Sequence, residues 1–417
     1  MKSWSHPAVP ALPGNGPTPR LHDTATQTLK PANASASGTS SASLYVCGIT
    51  PYDATHLGHA ATYLGYDTLV RLWLDAGYDV RYVQNVTDVD DPLLVRAASQ
   101  GVDWQELANS QIDLFRSDMQ ALSIIPPHHY VGVTEVIAEV AEAVSRLLDA
   151  GYAYRVPSDN AEPDIYFDTN AAEQNTAWHL GLESGLDTQT MLALSAERGG
   201  DPERQGKRNP LDPLLWRAER SGEPTWQSVV GPGRPGWHIE CTVIALNHHT
   251  QSITVNGGGS DLVFPHHEFS AAHATALTGE PLAHIYSHTG MVAYQGEKMS
   301  KSLGNLVFVS RLIADGADPR AIRLALLGHH YRSDWEWTDA TLTAAEERLK
   351  SWAGWAAQPT EDDNHAQSHL TELRDILAND LNTPTALGLI DGWAASGRPA
   401  SNTMVDAIDA LLGVRLR

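Results

Sequence analysis

The sequence predicts an α/β protein with a doubly wound parallel sheet, followed by a bundle of helices. Residues 44–125 alternate strand, helix, strand and helix, which is typical of a mononucleotide-binding half of such a sheet. The alternation resumes at residue 238 and ends near residue 305. Beyond that point alanine and leucine recur at helical spacing, so helices alone are expected there.

Composition divides the 417-residue chain into three predicted parts. Residues 1–43 are rich in Pro, Ser, Ala and Thr and are expected to form a flexible arm with short strands at 21–31. Residues 44–310 are expected to form a Rossmann-like catalytic domain. A Gly-, Pro- and charge-rich insertion interrupts this domain at about 152–232 and begins with a hairpin pattern. Residues 311–417 are expected to form a C-terminal helical domain.

Local patterns place the individual elements. The apolar run 44–47 precedes a turn-rich stretch at 48–53, after which a helical pattern continues to Gly77. A second strand is predicted at 80–86, and a helix is predicted at 134–150 because its apolar residues share one face. The second half is predicted to contain a helix from His238, a strand at 252–255, a helix at 265–277 and a buried strand at 285–292.

The charge of the chain limits the classes of partner. The sequence has 28 basic and 50 acidic residues, a formal net charge of −22. This balance argues against a broad phosphate-binding surface and against an extended nucleic-acid partner, although a local basic patch is compatible with it. No run of 18 apolar residues is present, and residues 1–43 lack the apolar stretch of a signal peptide. We therefore expect a soluble cytoplasmic protein.

Two motifs together predict a clamp for nucleotide phosphates. His56-Leu57-Gly58-His59 follows a strand and a turn and opens a helix, where free N–H groups and the helix dipole favour a phosphate. Lys298-Met299-Ser300-Lys301-Ser302 lies in a polar loop with flanking glycines, which suits closure over a polyphosphate. Its lysines would neutralise charge as pyrophosphate leaves.

In this order the motifs resemble the HIGH-type and KMSKS signatures of class I aminoacyl-tRNA synthetases. Stretches at 45–52, 82–88, 234–241 and 257–268 narrow the resemblance to the cysteinyl branch, and it spans roughly residues 44–330. The resemblance implies a class I synthetase sheet in which the insertion is the connective segment. It also implies activation of an amino acid by ATP, with Mg²⁺ bridging the phosphates.

Cys47 and Cys241 are the two cysteines of the chain, and each lies within one of these stretches. A disulfide and inert buried thiols are the alternatives to a functional role. The resemblance implies that both cysteines and His266 bind one zinc ion per chain. It implies a glutamate as fourth ligand, but this sequence has Ser270 there. Three ligands would leave a tetrahedral position open, which suits the thiolate of a cysteine substrate.

The resemblance also implies which residues bind substrates. His56, His59, Lys298 and Lys301 would be catalytic. Trp237 would wall the side-chain pocket, with core packing as the alternative, and Asp261 would lie near the ribose or the substrate amine. The complete set implied for the adenylate is Cys47, Gly48, Ile49, Thr50, Thr62, Asn85, Val86, Thr87, Trp237, Gly259, Ser260, Asp261 and Val292.

Several departures separate the chain from cysteinyl-tRNA synthetases. Besides Ser270, the sequence ends without a basic or aromatic platform for RNA, and it has His59 where those enzymes usually have asparagine. The segment 195–202 resembles a motif of the ligases that join cysteine to glucosaminyl-inositol in mycothiol biosynthesis, although a solvated loop is the alternative.

These features favour a ligase of that family, with ATP, L-cysteine and glucosaminyl-inositol as its substrates. A monomer that binds neither tRNA nor a membrane is expected. Two alternatives stay open: a cysteinyl-tRNA synthetase with a shortened C-terminus, and an inactive synthetase-like binding protein.

Overall fold

The structure is a computed structural model that describes residues 1–33, 40–53, 55–158, 161–249, 252–299, 304–357 and 365–417. Within these ranges the strands are β1 (Arg20–Asp23), β2 (Thr28–Pro31), β3 (Ser41–Val46), β4 (Asp79–Val86), β5 (His129–Gly132), β6 (Ala153–Ser158), β7 (Ala161–Phe167), β8 (Leu214–Ala218), β9 (Gly233–Pro235), β10 (Ile253–Gly259), β11 (Ala283–Thr289), β12 (Val292–Tyr294), β13 (Glu297–Lys298) and β14 (Trp335–Trp337).

The helices are α1 (Leu57–Asp75), α2 (Asp91–Gln100), α3 (Trp104–Ala121), α4 (Ile137–Asp149), α5 (Thr169–Asn175), α6 (Thr188–Glu197), α7 (Trp237–His248), α8 (Glu268–Thr278), α9 (Val309–Ala314), α10 (Pro319–Leu327), α11 (Asp339–Ala356), α12 (Ala366–Ala378), α13 (Thr383–Ala395) and α14 (Asn402–Leu412). Among the described residues, no helix combines the length and apolar character needed to cross a lipid bilayer.

The central sheet has the strand order β11-β10-β3-β4-β5, and all of its neighbours are parallel. The first half of the chain supplies β3 to β5 and the second half supplies β10 and β11, so the order reverses between β3 and β10. This confirms the predicted doubly wound α/β class. In such sheets a ligand binds outside the carboxyl ends of the strands at the reversal point. Cys47 follows β3 there, and Ser260 follows β10.

Both faces of the sheet are covered, because successive side chains of a strand point to opposite sides. On β3, Leu44 and Val46 pack into one core with α1 and the C-terminal helices, whereas Tyr45 packs into a second core with α4, α7 and α8. The inner positions of the strands are therefore buried, as in other parallel sheets that are covered on both faces.

The insertion forms an antiparallel sheet of order β6-β7-β8-β9 and begins with the predicted hairpin. Strand β9 leads directly into α7 through Gly236. A Cβ atom at Gly236 would lie 2.0 Å from the carbonyl oxygen of Leu214, so the backbones approach closely there. The insertion sheet thereby fixes the start of α7, which carries Trp237 and Cys241.

Residues 1–33 do not form the flexible arm that their composition predicted. Trp4 is buried, and its indole Nε1 donates to the carbonyl oxygen of Ile124 at 2.7 Å. The amino group of Met1 donates to the carbonyl oxygen of Tyr130 at 2.9 Å and pairs with Glu135. One aromatic anchor and the chain terminus hold the segment, and composition does not reveal either contact. The short strands predicted at 21–31 are present as β1 and β2.

Two expectations near the lysine motif are also wrong. The buried strand predicted at 285–292 is divided into β11 and β12. Residues beyond 305 include a strand, β14, which pairs in parallel with β12. Gly290 explains the break, because a Cβ atom there would lie 2.2 Å from the carbonyl oxygen of Ser333. The chain segments cross at this glycine, and β12, β13 and β14 form a separate sheet beyond it.

Candidate active site

The two histidines of the first motif lie at the N-terminus of α1. His56 is the N-cap residue, and its Nδ1 accepts a hydrogen bond from the Gly58 N–H at 3.1 Å. Its ring stacks on that of His59 with centroids 3.8 Å apart. Burial lowers the pKa of His59 to about 4, so this imidazole is neutral at neutral pH. His59 Nδ1 is buried without a hydrogen-bond partner in the described part of the chain.

A cavity of about 490 Å³ lies beside these histidines at the carboxyl edge of the central sheet; we call it the cleft cavity. It brings together most of the predicted binding residues. These lining residues are Cys47, Gly48, Ile49, Thr50, His56, His59, Thr62, Trp237, Gly259, Asp261 and Val292. Sequence reasoning missed Tyr63, Met291, Met299 and Leu306, which also line it.

Asn85, Val86 and Thr87 were predicted to line the adenylate, but they are not among the residues that line the cleft cavity. The Asn85 side-chain oxygen accepts from the Gly48 N–H at 2.8 Å, and Thr87 N–H donates to the Ile49 carbonyl oxygen at 3.0 Å. All three residues are buried at or just after the end of β4, and Asn85 and Thr87 hold the backbone of the segment after β3. Ser260 follows β10 but does not line the cavity either.

Cys47, Cys241 and His266 meet at the inner end of the cleft cavity. One ligand atom from each lies within 4.8 Å of the others, and all three residues are buried. They come from the end of β3, from α7 and from the turn before α8. Both cysteines are unpaired, so the disulfide alternative is wrong.

The donor atoms of this cluster are suited to a metal ion. His266 Nδ1 lies 3.1 Å from His238 Nδ1, while His266 Nε2 is buried without a hydrogen-bond partner in the described residues. Burial and the adjacent Cys241 sulfur raise the pKa of Cys47 well above its ordinary value. Burial also opposes ionisation of Cys241, but a hydrogen bond from Cys47 and the nearby imidazole of His266 hold its pKa well below its ordinary value. Two sulfur atoms and one imidazole nitrogen are donor types that soft and borderline metal ions prefer, so the residues present fit such an ion.

Ser270 does not belong to the cluster. Its hydroxyl donates to the carbonyl oxygen of His238 at 3.2 Å, so the side chain is engaged with the backbone of α7. The cluster therefore has three protein ligands among the described residues.

A series of hydrogen-bonded side chains from other parts of the fold ends at the Cys47 sulfur. Its sulfur lies 3.2 Å from His267 Nε2, and His267 Nδ1 lies 2.7 Å from His288 Nε2. His288 Nδ1 in turn lies 2.7 Å from the hydroxyl of Thr24. The sequence did not predict this hydrogen-bonded series, because Thr24, His267 and His288 come from distant parts of the sequence.

Trp237 lies at the border of the cluster and the cavity. Its ring is half-buried, lines the cleft cavity and lies 4.5 Å from the ring of His266. A partly exposed ring at a cavity wall fits a pocket role better than the alternative of core packing.

The second motif is described in part. The backbone of Lys298 belongs to β13, which pairs with β12, and the side chain of Met299 lines the cleft cavity. The Lys298 side chain and Lys301 lie outside the described residues.

Comparisons with known proteins agree with this arrangement. The family model for the tRNA synthetases class I (C) catalytic domain matches residues 34–347. The L-cysteine:1D-myo-inositol 2-amino-2-deoxy-alpha-D-glucopyranoside ligase of Clavibacter michiganensis subsp. michiganensis is 61% identical over 423 residues, covering 100% of this chain and 99% of that protein. The ligase of the same name from Nakamurella multipartita is 56% identical over 417 residues and covers 100% of both chains.

Among solved structures, Mycobacterium tuberculosis methionyl-tRNA synthetase in complex with methionyl-adenylate is similar, with a TM-score of 0.60 over 89% of each chain. At 16% identity this likeness shows the fold alone. The family match and the full-length identities show that this chain belongs to the class I tRNA synthetase family and, within it, to the family of L-cysteine:1D-myo-inositol 2-amino-2-deoxy-alpha-D-glucopyranoside ligases.

Proposed function

We propose that this chain activates L-cysteine with ATP and transfers the cysteinyl group to the amine of glucosaminyl-inositol, forming an amide for mycothiol biosynthesis. The observation that carries the proposal is the buried Cys47–Cys241–His266 cluster at the inner end of a cavity that begins at His56 and His59. Relatives named as this ligase match the whole chain, which supports the same reaction here.

In the first step a carboxylate oxygen of cysteine attacks the α-phosphorus of ATP. The bond from that phosphorus to the bridging oxygen breaks, and pyrophosphate leaves. His56, His59 and the N–H groups at the start of α1 would bind the phosphates, since a helix N-terminus favours anions. Lys298 and Lys301 would stabilise the charge on the leaving group, and Mg²⁺ would accompany ATP.

The cysteine side chain would be selected at the cluster. Cys47, Cys241 and His266 would hold Zn²⁺, which when bound lowers the pKa of a thiol and prefers sulfur to oxygen. Serine has nearly the shape of cysteine, and an apolar pocket discriminates poorly between such isosteres. Trp237 would close the pocket around the substrate side chain.

The remaining predicted residues would bind the body of the adenylate. Those that line the cleft cavity are Gly48, Ile49, Thr50, Thr62, Gly259, Asp261 and Val292. Asn85 and Thr87 would act through the backbone after β3 that they hold, and Val86 and Ser260 would contribute from the strand ends at the same edge of the sheet.

In the second step the neutral amine of glucosaminyl-inositol attacks the carbonyl carbon of the adenylate. The carbonyl carbon to phosphate-oxygen bond breaks, AMP leaves, and the amine loses a proton as the amide forms. ATP use and two unpaired thiols fit a cytoplasmic enzyme, and we propose a monomer that does not use tRNA.

The test follows each step separately in the purified protein with ATP and cysteine. Cysteine-dependent pyrophosphate exchange should occur without RNA. AMP release should accelerate when glucosaminyl-inositol is added and should not respond to tRNA. Charging of tRNA at a comparable rate, with the amino sugar ignored, would instead indicate a cysteinyl-tRNA synthetase. Absence of exchange would indicate an inactive binding protein.

A further inference from the structure

A second cavity, of about 710 Å³, opens beside the cleft cavity; we call it the lateral cavity. It lies between the insertion sheet and the carboxyl edge of the central sheet. The two cavities share the lining residues Thr50, Tyr52, Trp237, Asp261 and Leu262, so they meet at these positions. The proposed roles of the cleft cavity do not use this second space.

Its position suits the second substrate of the proposed reaction. The thiol end of the cysteinyl group would lie at Cys47 and the phosphate end at His56, so the carbonyl carbon between them must be reached from the side. Thr50 lies between these two residues in the chain and lines both cavities. An amine held in the lateral cavity would therefore approach the adenylate near Thr50 and Trp237.

The charges on the wall are nearly balanced. Among the described residues, seven carboxylates and six Lys or Arg side chains line the lateral cavity. Asp164 accepts from Arg204 Nη2 at 2.9 Å and from Arg220 Nη2 at 2.8 Å. Lys207 pairs with Asp201 at 2.9 Å. A polyphosphate backbone needs an excess of cations, whereas a polyol needs both donors and acceptors in close alternation.

Arg204 has donors available for such a ligand. A guanidinium has five N–H groups, and the contacts of Arg204 with Pro157 and Asp164 both use Nη2. Its side chain is 30% exposed at the cavity wall. The volume of the cavity also falls within the range of small-molecule sites, about 300–1,000 Å³.

The segment 195–202, which the sequence singled out, builds the part of this wall nearest the cleft. Arg198 Nη1 donates to the carbonyl oxygens of Asp261 at 2.6 Å and Phe264 at 2.5 Å, which fastens the insertion to the chain after β10. Asp201 accepts from Tyr166 and Lys207. Contacts of Arg198 and Asp201 therefore hold the segment in place at the wall of the lateral cavity.

We propose that the lateral cavity is the acceptor site and binds a nearly neutral polyol with one primary amine, with Arg204 donating to its hydroxyl groups. The proposal rests on the proposed function, because it assigns a place to the second substrate of that reaction.

The test compares Arg204→Gln with the wild-type full chain. Asp164 keeps Arg220 in this variant, so the wall retains its buried pair. Loss of a charged donor should raise the KM for glucosaminyl-inositol by roughly 10-fold or more. Cysteine-dependent pyrophosphate exchange should be unchanged, which also shows that the variant is folded. Asp201→Asn, at a side chain that is 43% exposed, provides a second variant with the same expectation.

Arg348→Gln is the matched control, because Arg348 pairs with Asp391 among the C-terminal helices at a similar exposure. Its acceptor KM should equal that of the wild type. An unchanged acceptor KM in both Arg204→Gln and Asp201→Asn would overturn the acceptor site while leaving the proposed function intact. Equal losses of pyrophosphate exchange and of transfer to the amino sugar would also overturn the acceptor site, since the wall residues would then affect only the folding of the protein. A wild-type protein that ignores the amino sugar would overturn the proposed function itself.

Discussion

The thiol end and the phosphate end of the cleft cavity are built in different ways. At the thiol end Cys47, Cys241 and His266 are all buried, and neighbouring histidines lie within hydrogen-bond distance of two of them. At the phosphate end His56 and His59 are half-buried at the start of a helix. His59 Nδ1 there has no hydrogen-bond partner among the described residues.

This difference matches two kinds of recognition. A metal site must fix its ligands before the substrate arrives, because selection of a thiol depends on one bond to one atom. A phosphate site stabilises charge that develops during the reaction, so its donors must be available at that moment. Substitutions at the thiol end should therefore abolish adenylation of cysteine, whereas substitutions at the phosphate end should slow it.

The largest effect is expected from Cys241→Ala. The variant removes one of the three proposed metal ligands, so the purified protein should lose about one zinc per chain together with cysteine-dependent exchange. The loss of turnover should exceed the roughly 10–100-fold that removal of a supporting hydrogen bond causes. Metal analysis and pyrophosphate exchange measure the two losses.

Asn247→Ala is a suitable control for this variant, since Asn247 is exposed on the same helix. It should keep both metal and activity. Full zinc content and normal turnover in Cys241→Ala would show that the cluster does not bind the metal used in the reaction.

A smaller effect is expected at the phosphate end. Lys298→Ala or Lys301→Ala should lower the adenylation rate by roughly 10²-fold or more, because the lysines would contact the leaving pyrophosphate in the transition state. Cysteine binding and zinc content should stay unchanged, and the exposed Lys350→Ala should behave like the wild type. A large rise in the KM for cysteine at unchanged turnover would mean that the loop binds the ground state.

The sequence predicted the parts of the site that local patterns encode. His56 and His59 lie at a helix N-terminus as expected, because a strand, a turn and a helix follow one another directly in the chain. The resemblance also led to Cys47, Cys241 and His266, which do come together.

Features that depend on contacts between distant segments escaped prediction. Strand β14 exists because Trp335–Trp337 pairs with Val292–Tyr294, more than 40 residues earlier in the chain. Asn85 resembles a lining residue in sequence, but its side-chain oxygen accepts from the Gly48 N–H and the residue does not line the cleft cavity. Likewise, no sequence pattern around Trp4 predicts that its indole N–H donates to the carbonyl oxygen of Ile124.

The histidines behind Cys47 allow the finest test of the thiol end. Burial lowers the pKa of His267 well below its ordinary value and lowers that of His288 to about 3, so both rings are neutral and each has one N–H. A cysteine that binds a metal ion is a thiolate. With Cys47 in that form, one arrangement satisfies the contacts: Thr24 donates to His288, His288 donates to His267, and His267 donates to the sulfur of Cys47. This arrangement is assigned from the hydrogen-bond network.

We therefore expect His267→Ala to weaken metal affinity by roughly 10–100-fold, the usual effect of losing a group that orients a ligand. His273→Ala is the matched control, because His273 is equally buried but its ring nitrogens have no hydrogen-bond partner in the described part of the chain. Competition with a zinc chelator measures both affinities, and His267→Gln, which keeps an N–H donor, should recover part of the loss. Equal weakening in the two alanine variants would contradict the orienting role, since lost packing would then account for both.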